Sequence, residues 1–234
     1  MTSFHHHISS GRPKTALPHA RYILRLGQYL ARGDLIYSEH ANMPWWAQND
    51  PLSFWKAADD NERVNGAAYR EQVIALPNEL SQDQQIQLAR ELARRLIGNK
   101  PYALAVHSPL GALGGLPNTH VHLMYSDRIA DDIERLPGTE FHRFNGKDPS
   151  LGGWRKDSGG MTRMETRDQV ISWRKTCAET QNAALEAYGH TSRVDHRSLE
   201  QQGITRTPER HLGPAALKRM DSKAKDTQVA ARLR

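Results

Sequence analysis

Three histidines in two strand-like segments are the residues of this sequence best suited to bind a metal ion. His120 and His122 lie two apart in residues 119–126 (THVHLMYS), and His107 lies near the end of residues 101–108 (PYALAVHS). Side chains at i and i+2 leave a β-strand on the same face, so His120 and His122 project together. If the two strands pair, His107 joins them, and three neutral imidazoles can hold one cation with coordination positions left open. An open site suits catalysis, whereas any one strand histidine on its own is more often an ordinary core or surface residue.

Glu71 is the first candidate partner for these histidines. It lies in residues 67–76 (AAYREQVIAL), where Tyr69, Glu71, Val73 and Ala75 would share one face of a strand. A carboxylate inside a strand needs a polar partner if it is buried, and it can orient a metal-bound histidine through the second ring nitrogen. Spacing alone leaves the alternative that Glu71 simply faces solvent.

Tyr22 is the residue whose hydroxyl group could take part in the chemistry of the site. Residues 19–32 (HARYILRLGQYLAR) have apolar side chains at the spacing of one amphipathic helix, which predicts Tyr22 in its first turn. A basic loop, residues 9–18, precedes it, so an exposed hydroxyl there could meet a phosphate attracted by Arg21, Arg25 and the helix N-terminus. The same periodicity is equally typical of a tyrosine in the protein core.

The remaining pattern predicts alternating strands and helices around these candidates. Residues 3–9 predict a first strand with His6 on one face and His5 and His7 on the other, and residues 33–50 predict a long connection whose Trp45 and Trp46 join the core. Three further helices are predicted, at residues 51–65 after an Asp50 N-cap, at 81–97 after a Ser81–Gln84 capping box, and at 165–188.

Composition limits the class of protein. The length of 234 residues suits one domain, or one domain with a tail, and 38% of the residues are hydrophobic. The formal charge of +6 favours polyanionic partners. Mean hydropathy is −0.72 and no apolar run reaches membrane-spanning length, so we expect a cytoplasmic protein without membrane insertion. The lone Cys177 excludes an intramolecular disulfide and a cysteine-based zinc site, and we expect it in a helix core.

Taken together, the motifs resemble one family. The segments ARYILRLGQY, NMPWW, FWKAADDNERVNG, EQVIALPNEL, ALAVH, NTHVHLM, SDRIADDIERLP and RVDHRSLEQQGI occur in the order found in MobA/MobL (MobQ-type) plasmid mobilisation relaxases. These enzymes are HUH endonucleases, and His120, Val121 and His122 match the motif of that name. The resemblance covers residues 1–214, which we expect to form the relaxase domain. Residues 215–234 are expected to be a charged tail, either helical or disordered.

The resemblance implies both a fold and a set of residue roles. The implied fold is α/β, with a central antiparallel β-sheet carrying a three-histidine metal site, helices covering the sheet, and the tyrosine helix across its active face. Tyr22 matches the nucleophile of the family, and Glu71 and Glu79 match glutamates found near the site. The metal ligands implied are His107, His120 and His122, and the ion implied is divalent, Mg²⁺ or Mn²⁺.

The implied activity is site- and strand-specific cleavage of DNA at a plasmid origin of transfer. Tyrosine transesterification would give a 5′-phosphotyrosyl intermediate that is religated after conjugative transfer. The implied partners are single-stranded and hairpin origin DNA, accessory mobilisation proteins, and the coupling protein of a type IV secretion system. Two other classes stay open: a hydrolytic metal-dependent nuclease with a structural Tyr22, and a non-catalytic single-stranded DNA-binding protein.

Overall fold

The computed structural model describes residues 4–111, 113, 115–205 and 214–232, and a five-stranded antiparallel sheet forms its centre. The strand order is β1-β3-β5-β4-β2. These strands are β1 (His6–Gly11), β2 (Leu35–Ala41), β3 (Tyr69–Ala75), β4 (Tyr102–His107) and β5 (His120–Tyr125). A separate two-stranded ribbon joins β6 (Arg128–Ile129) to β7 (Arg155–Lys156). The helices are α1 (Ala16–Ile23), α2 (Pro51–Asn61), α3 (Gln82–Leu96), α4 (Arg163–Ala187), α5 (Pro214–Arg219) and α6 (Ser222–Arg232).

The two faces of the sheet bury different cores. On one face, side chains such as Val106, Val121 and Leu123 are fully buried in an aliphatic core shared with α3 and α4. Each such aliphatic side chain contributes roughly 1.5–3 kcal/mol to folding through burial. On the other face, Ala105 and Met124 pack in a second core with α1 and α2. The small alanine leaves room on this second face for the polar side chains of neighbouring strands.

Most of the predicted elements are confirmed, including their caps. The Asp50 side chain accepts a hydrogen bond from the Leu52 N–H at the start of α2, which ends at Asn61 rather than near residue 65. Ser81 and Gln84 form the predicted capping box on α3. α4 is the long predicted helix, and Cys177 is buried in it, where burial raises the pKa of its thiol to about 12.

The prediction of one helix over residues 19–32 is wrong. α1 ends at Ile23, and a separate 3₁₀ helix occupies Gly27–Arg32. Arg25 and Gly27 have φ values of 53° and 61°, in the left-handed region, which an α-helix cannot accommodate. The apolar spacing is therefore misleading beyond Leu24, and Leu30 is 70% exposed.

The prediction for residues 33–50 is also wrong in two respects. Residues 35–41 form the edge strand β2, paired with β4, where a connection was predicted. Trp45 is 62% exposed rather than part of the core, whereas Trp46 is half-buried and donates a hydrogen bond from Nε1 to Glu140.

The C-terminal residues 214–232 contain α5 and α6, beyond a segment that lies outside the described residues. Among the residues that the structure describes, no helix combines the length and the apolar character needed to span a bilayer.

His6 is a buried histidine that makes the stability of the protein depend on pH. Its ring is 6% exposed, Nε2 donates to Gln72 Oε1 at 2.9 Å, and Nδ1 has no hydrogen-bond partner. Burial lowers the pKa of His6 to about 4, below the value near 6.5 of an unfolded histidine. Between pH 4 and pH 6.5 the unfolded chain carries a proton on this ring that the folded protein does not carry. The contribution of His6 to the free energy of unfolding is therefore complete above pH 6.5 and is lost as the pH falls towards 4.

We therefore predict that His6→Leu flattens the dependence of stability on pH. Between pH 7 and pH 5 the parent protein should lose on the order of 2 kcal/mol of unfolding free energy through this group, and the variant should not lose that part. Denaturant unfolding at both pH values measures the difference. His7→Leu, at an exposed position of the same strand, is the matched control. Parallel loss of stability in the parent protein and in His6→Leu would contradict the assignment.

Candidate active site

The three predicted histidines form one cluster on the face of the sheet that α1 covers. β4 and β5 pair antiparallel with His107 opposite His120, and His122 follows two residues along β5 on the same face. The ring centroids are 5.6 Å apart for His107–His120, 4.8 Å for His107–His122 and 5.1 Å for His120–His122. One ring nitrogen from each lies within 4.8 Å of the others, which is a separation that a single ion can bridge.

Two of these histidines are oriented as metal ligands usually are. His120 Nδ1 donates to the carbonyl oxygen of Asn118 at 2.7 Å, and His122 Nδ1 donates to Glu71 Oε1 at 2.7 Å. Because a carbonyl and a carboxylate oxygen only accept, both Nδ1 atoms carry the hydrogen and both Nε2 atoms keep a lone pair. A histidine that binds metal through one ring nitrogen usually donates a hydrogen bond from the other nitrogen to such an acceptor. The donor set therefore fits a divalent cation.

His107 is the ligand that would need a rearrangement. Its Nε2 lies 2.7 Å from the Ile23 carbonyl oxygen, and its Nδ1 lies 3.1 Å from a terminal nitrogen of Arg25. A guanidinium only donates, so Nδ1 accepts and Nε2 carries the hydrogen given to Ile23. Burial lowers the pKa of His107 to about 4, which favours the neutral ring that a metal requires. Binding through Nε2 would replace the hydrogen bond to Ile23.

Glu71 occupies the place predicted for it, beneath the histidines. The residue is 5% exposed, and the same side-chain oxygen, Oε1, accepts from His122 Nδ1 and from His19 Nε2, each at 2.7 Å. Burial by itself would raise the pKa of Glu71, but these two hydrogen bonds hold it at about 2. Glu71 is therefore ionised at any physiological pH. Glu79 lies outside this cluster, in the turn between β3 and α3.

His19 is a member of the site that the sequence did not single out. It lies one turn before Tyr22 on α1 and stacks on Tyr69 with ring centroids 4.9 Å apart. With Glu71 and His122 it forms a second group whose ligand atoms lie within 4.8 Å of one another. The available signal was its i, i+3 spacing from Tyr22, which places both on one face of a helix.

Tyr22 lies beside the cluster but not where the sequence predicted within its helix. It is in the last turn of α1, and its ring centroid is 6.3 Å from that of His122. The N-terminus of α1 faces Asp59, whose two carboxylate oxygens accept from the N–H groups of Ala16 and Leu17 at 2.9 Å. The helix N-terminus therefore already has an anionic partner and is not the phosphate site proposed for Tyr22.

Two arginines and a second tyrosine surround the Tyr22 ring. The guanidinium carbons of Arg25 and Arg32 lie 4.8 Å and 5.1 Å from its centroid. Tyr29 packs edge-on against it at 5.3 Å. The site thus places a phenol hydroxyl, two cations and a cluster of imidazoles together, a combination suited to a negatively charged ester such as a phosphodiester.

Comparison of the sequence with known proteins identifies a family and several relatives. The MobA/MobL family model matches residues 25–223. A 43 kDa relaxation protein of Salmonella typhimurium is 42% identical, over 88% of this chain and 56% of that protein. Mobilization protein A of Escherichia coli is also 42% identical, over 86% of this chain and 27% of that protein. This chain therefore spans about half of the first relative's length and about a quarter of the second's.

The fold has a counterpart among solved structures. A chain from a structure described as the "Molecular Basis of Vancomycin Resistance Transfer in Staphylococcus aureus" superposes with a TM-score of 0.61 at 23% identity. The match covers 84% of this chain and 99% of the other. The family model matches residues 25–223, which is most of the sequence, and this match shows that the chain belongs to the MobA/MobL family.

Proposed function

We propose that this chain is a DNA relaxase, which cleaves one strand at a plasmid origin of transfer by tyrosine transesterification. The observation that carries the proposal is the position of Tyr22, whose ring lies 6.3 Å from that of His122 in the three-histidine cluster. The names of the related proteins, which refer to relaxation and mobilisation, support the same function.

In the proposed reaction the Tyr22 oxygen attacks phosphorus and the bond from phosphorus to the 3′ oxygen breaks. The phenol loses its proton, the departing 3′ oxygen gains one, and a 5′-phosphotyrosyl bond forms. One phosphoester replaces another, so the reverse attack by a 3′-hydroxyl can reseal the strand. No water is consumed in either direction.

The other site residues have supporting roles in this proposal. His107, His120 and His122 would hold a divalent cation, Mg²⁺ or Mn²⁺, which when bound neutralises charge on the scissile phosphate and helps to align it. Glu71 fixes the tautomer of His122 through the 2.7 Å hydrogen bond. His19, which donates to the same oxygen of Glu71, ties the helix that carries Tyr22 to β3, the strand that carries Glu71.

The proposed substrate is single-stranded origin DNA beside a hairpin. The formal charge of +6 favours a polyanion, and Arg32 is an exposed cation next to the Tyr22 ring. Exposed Trp45 offers a face on which a base can stack. Accessory mobilisation proteins and a type IV secretion coupling protein complete the proposed set of partners.

Strand transfer is the experiment that tests this function. The protein is incubated with Mn²⁺ and a labelled origin oligonucleotide, and a second oligonucleotide of different length that ends in the 3′-hydroxyl side of the nick is added. We expect protein-linked DNA, together with a recombinant strand formed without ATP. The equilibrium constant for cleavage should be modest, because the reaction exchanges one phosphoester for another.

Protease treatment before electrophoresis separates this function from its alternatives. A relaxase leaves a peptide on the 5′ end. Protein-free 5′-phosphate products without a recombinant strand would instead identify a hydrolytic nuclease. Binding of the oligonucleotide without any cleavage would identify a DNA-binding protein.

A further inference from the structure

Arg25 has a strained backbone in the centre of the site. Its φ of 53° lies in the left-handed region, which costs conformational energy for a residue with a Cβ. Its side chain is only 6% exposed although it carries a full charge. Such a conformation persists only where the surrounding contacts enforce it, so the partners of Arg25 are informative.

Asp34 is the main partner and anchors the guanidinium to the sheet. Arg25 Nε donates to one carboxylate oxygen of Asp34 at 2.6 Å, and a terminal nitrogen donates to the other at 2.8 Å. This bidentate pairing holds the pKa of Asp34 below its usual value. The Asp34 carbonyl oxygen accepts from the Ser108 N–H at 2.8 Å, next to His107, so the anchor is fixed relative to the histidine cluster.

The Arg25 guanidinium also contacts Tyr22, the proposed nucleophile, and His107, a proposed metal ligand. The second terminal nitrogen donates to the Tyr22 carbonyl oxygen at 2.6 Å, and the guanidinium carbon lies 4.8 Å from the Tyr22 ring centroid. The terminal nitrogen that donates to Asp34 also donates to His107 Nδ1 at 3.1 Å. These contacts use four of the five N–H groups of the side chain. A buried guanidinium with one N–H left is poorly placed to bind DNA phosphate itself.

We propose that Arg25, held by Asp34, is a positioning residue that fixes the Tyr22 ring for attack. This inference rests on the proposed function, because it concerns the same nucleophile. The backbone contact holds the end of α1, and the stacking contact restricts rotation of the phenol ring. Misplacement of an attacking atom by about 1 Å can cost about 100-fold in rate, so a residue that sets this position has a large effect without touching the substrate.

The contact to His107 makes the proposal distinguishable from a general structural role. A neutral histidine that binds metal through Nε2 carries its hydrogen on Nδ1, where Arg25 now donates. Arg25 would therefore have to release His107 if a cation bound through that Nε2 atom. Removal of Arg25 should leave Mn²⁺ affinity unchanged or higher while cleavage becomes slower, whereas a collapsed site would lose both.

Arg25→Gly is the main test, because glycine adopts a positive φ without strain and the backbone can stay in place. We expect the single-turnover rate of cleavage of a labelled origin oligonucleotide to fall about 10- to 100-fold. DNA affinity by fluorescence anisotropy, and Mn²⁺ affinity by calorimetry, should not fall. Guanidinium chloride far below denaturing concentrations should restore part of the rate, with sodium chloride as the ionic-strength control.

Three further variants make the test robust. Asp34→Asn and Arg25→Lys should slow cleavage in the same way, since each breaks the bidentate pairing. Arg94→Ala is the matched control, because Arg94 is an exposed arginine that pairs with Glu91 on α3, which covers the opposite face of the sheet. Its loss should leave the rate of cleavage and the affinity for DNA unchanged.

A readout independent of activity separates this inference from the proposed function. In protein with ¹³C-labelled tyrosine, the Tyr22 ring signal, assigned with Tyr22→Phe, should shift and broaden in Arg25→Gly but not in Arg94→Ala. An unchanged Tyr22 signal would overturn the positioning role even if the chain proved not to be a relaxase. A DNA affinity that fell as much as the rate would also overturn it and make Arg25 a DNA contact.

Discussion

Tyr22→Phe is expected to abolish cleavage of origin DNA while the protein still binds it. The substitution removes only the hydroxyl, so the packing of the ring against His122, Tyr29 and Arg25 is retained. Loss of an attacking group typically lowers the rate by at least about four orders of magnitude. DNA affinity should change by no more than about fivefold, because one neutral hydrogen bond contributes roughly 1 kcal/mol.

Tyr29→Phe is the control, since Tyr29 packs edge-on against Tyr22 and is the rival nucleophile. That variant should cleave at nearly the parent rate. Peptide mapping by mass spectrometry of the trapped adduct should place the DNA on Tyr22. An adduct on Tyr29 would reverse the two roles, and an active Tyr22→Phe with protein-free products would leave hydrolysis as the mechanism.

The three strands around the site and the histidine cluster could be predicted because side chains alternate between the two faces along each strand. Alternation over residues 67–76, 101–108 and 119–126 sets the faces of β3, β4 and β5, and antiparallel pairing then brings His107 opposite His120. The same alternation predicted that Glu71 shares a face with Tyr69, but it left open whether Glu71 contacts the histidines or faces solvent. These inferences require only neighbouring residues along each strand and the rule that side chains alternate.

The edge strand β2 and the break after α1 could not be predicted in this way. Residues 19–32 have a continuous helical apolar period, and nothing in that period indicates that Arg25 takes a left-handed conformation. The conformation is set by partners distant in the chain, including His107, which is 82 residues away. Tertiary contacts therefore override local propensity at this position.

The same argument explains why His19 and Asp34 were not predicted as site residues, and why Arg25 was predicted only to attract a phosphate. His19 contacts Glu71 across 52 residues of sequence, and Arg25 contacts Asp34 only because the chain reverses through the 3₁₀ helix. Charged residues near a basic loop are usually solvated, so their type alone gave no indication of burial. The residues that surround the predicted ligands became visible only in the three-dimensional structure.

His120→Ala and His122→Ala are expected to lose Mn²⁺ binding and DNA cleavage together. Each variant removes one imidazole whose Nε2 lone pair is available to the cluster. Residues that only support a ligand are worth about 10- to 100-fold in affinity or activity, so we expect loss of a ligand itself to exceed about 100-fold. Glu71→Gln, which changes the partner of His122 and not a ligand, should fall within the smaller range.

The measurements are Mn²⁺ titration by calorimetry, single-turnover cleavage, and thermal unfolding followed by circular dichroism. His40→Ala is the matched control, because His40 is an exposed histidine on β2 of the same sheet. Both cluster variants should remain folded, since the hydrophobic cores on the two faces of the sheet do not depend on these imidazoles. High Mn²⁺ concentrations should restore part of the cleavage in each. Unfolded variants that excess metal cannot rescue would show that the cluster holds the sheet together and is not the catalytic centre.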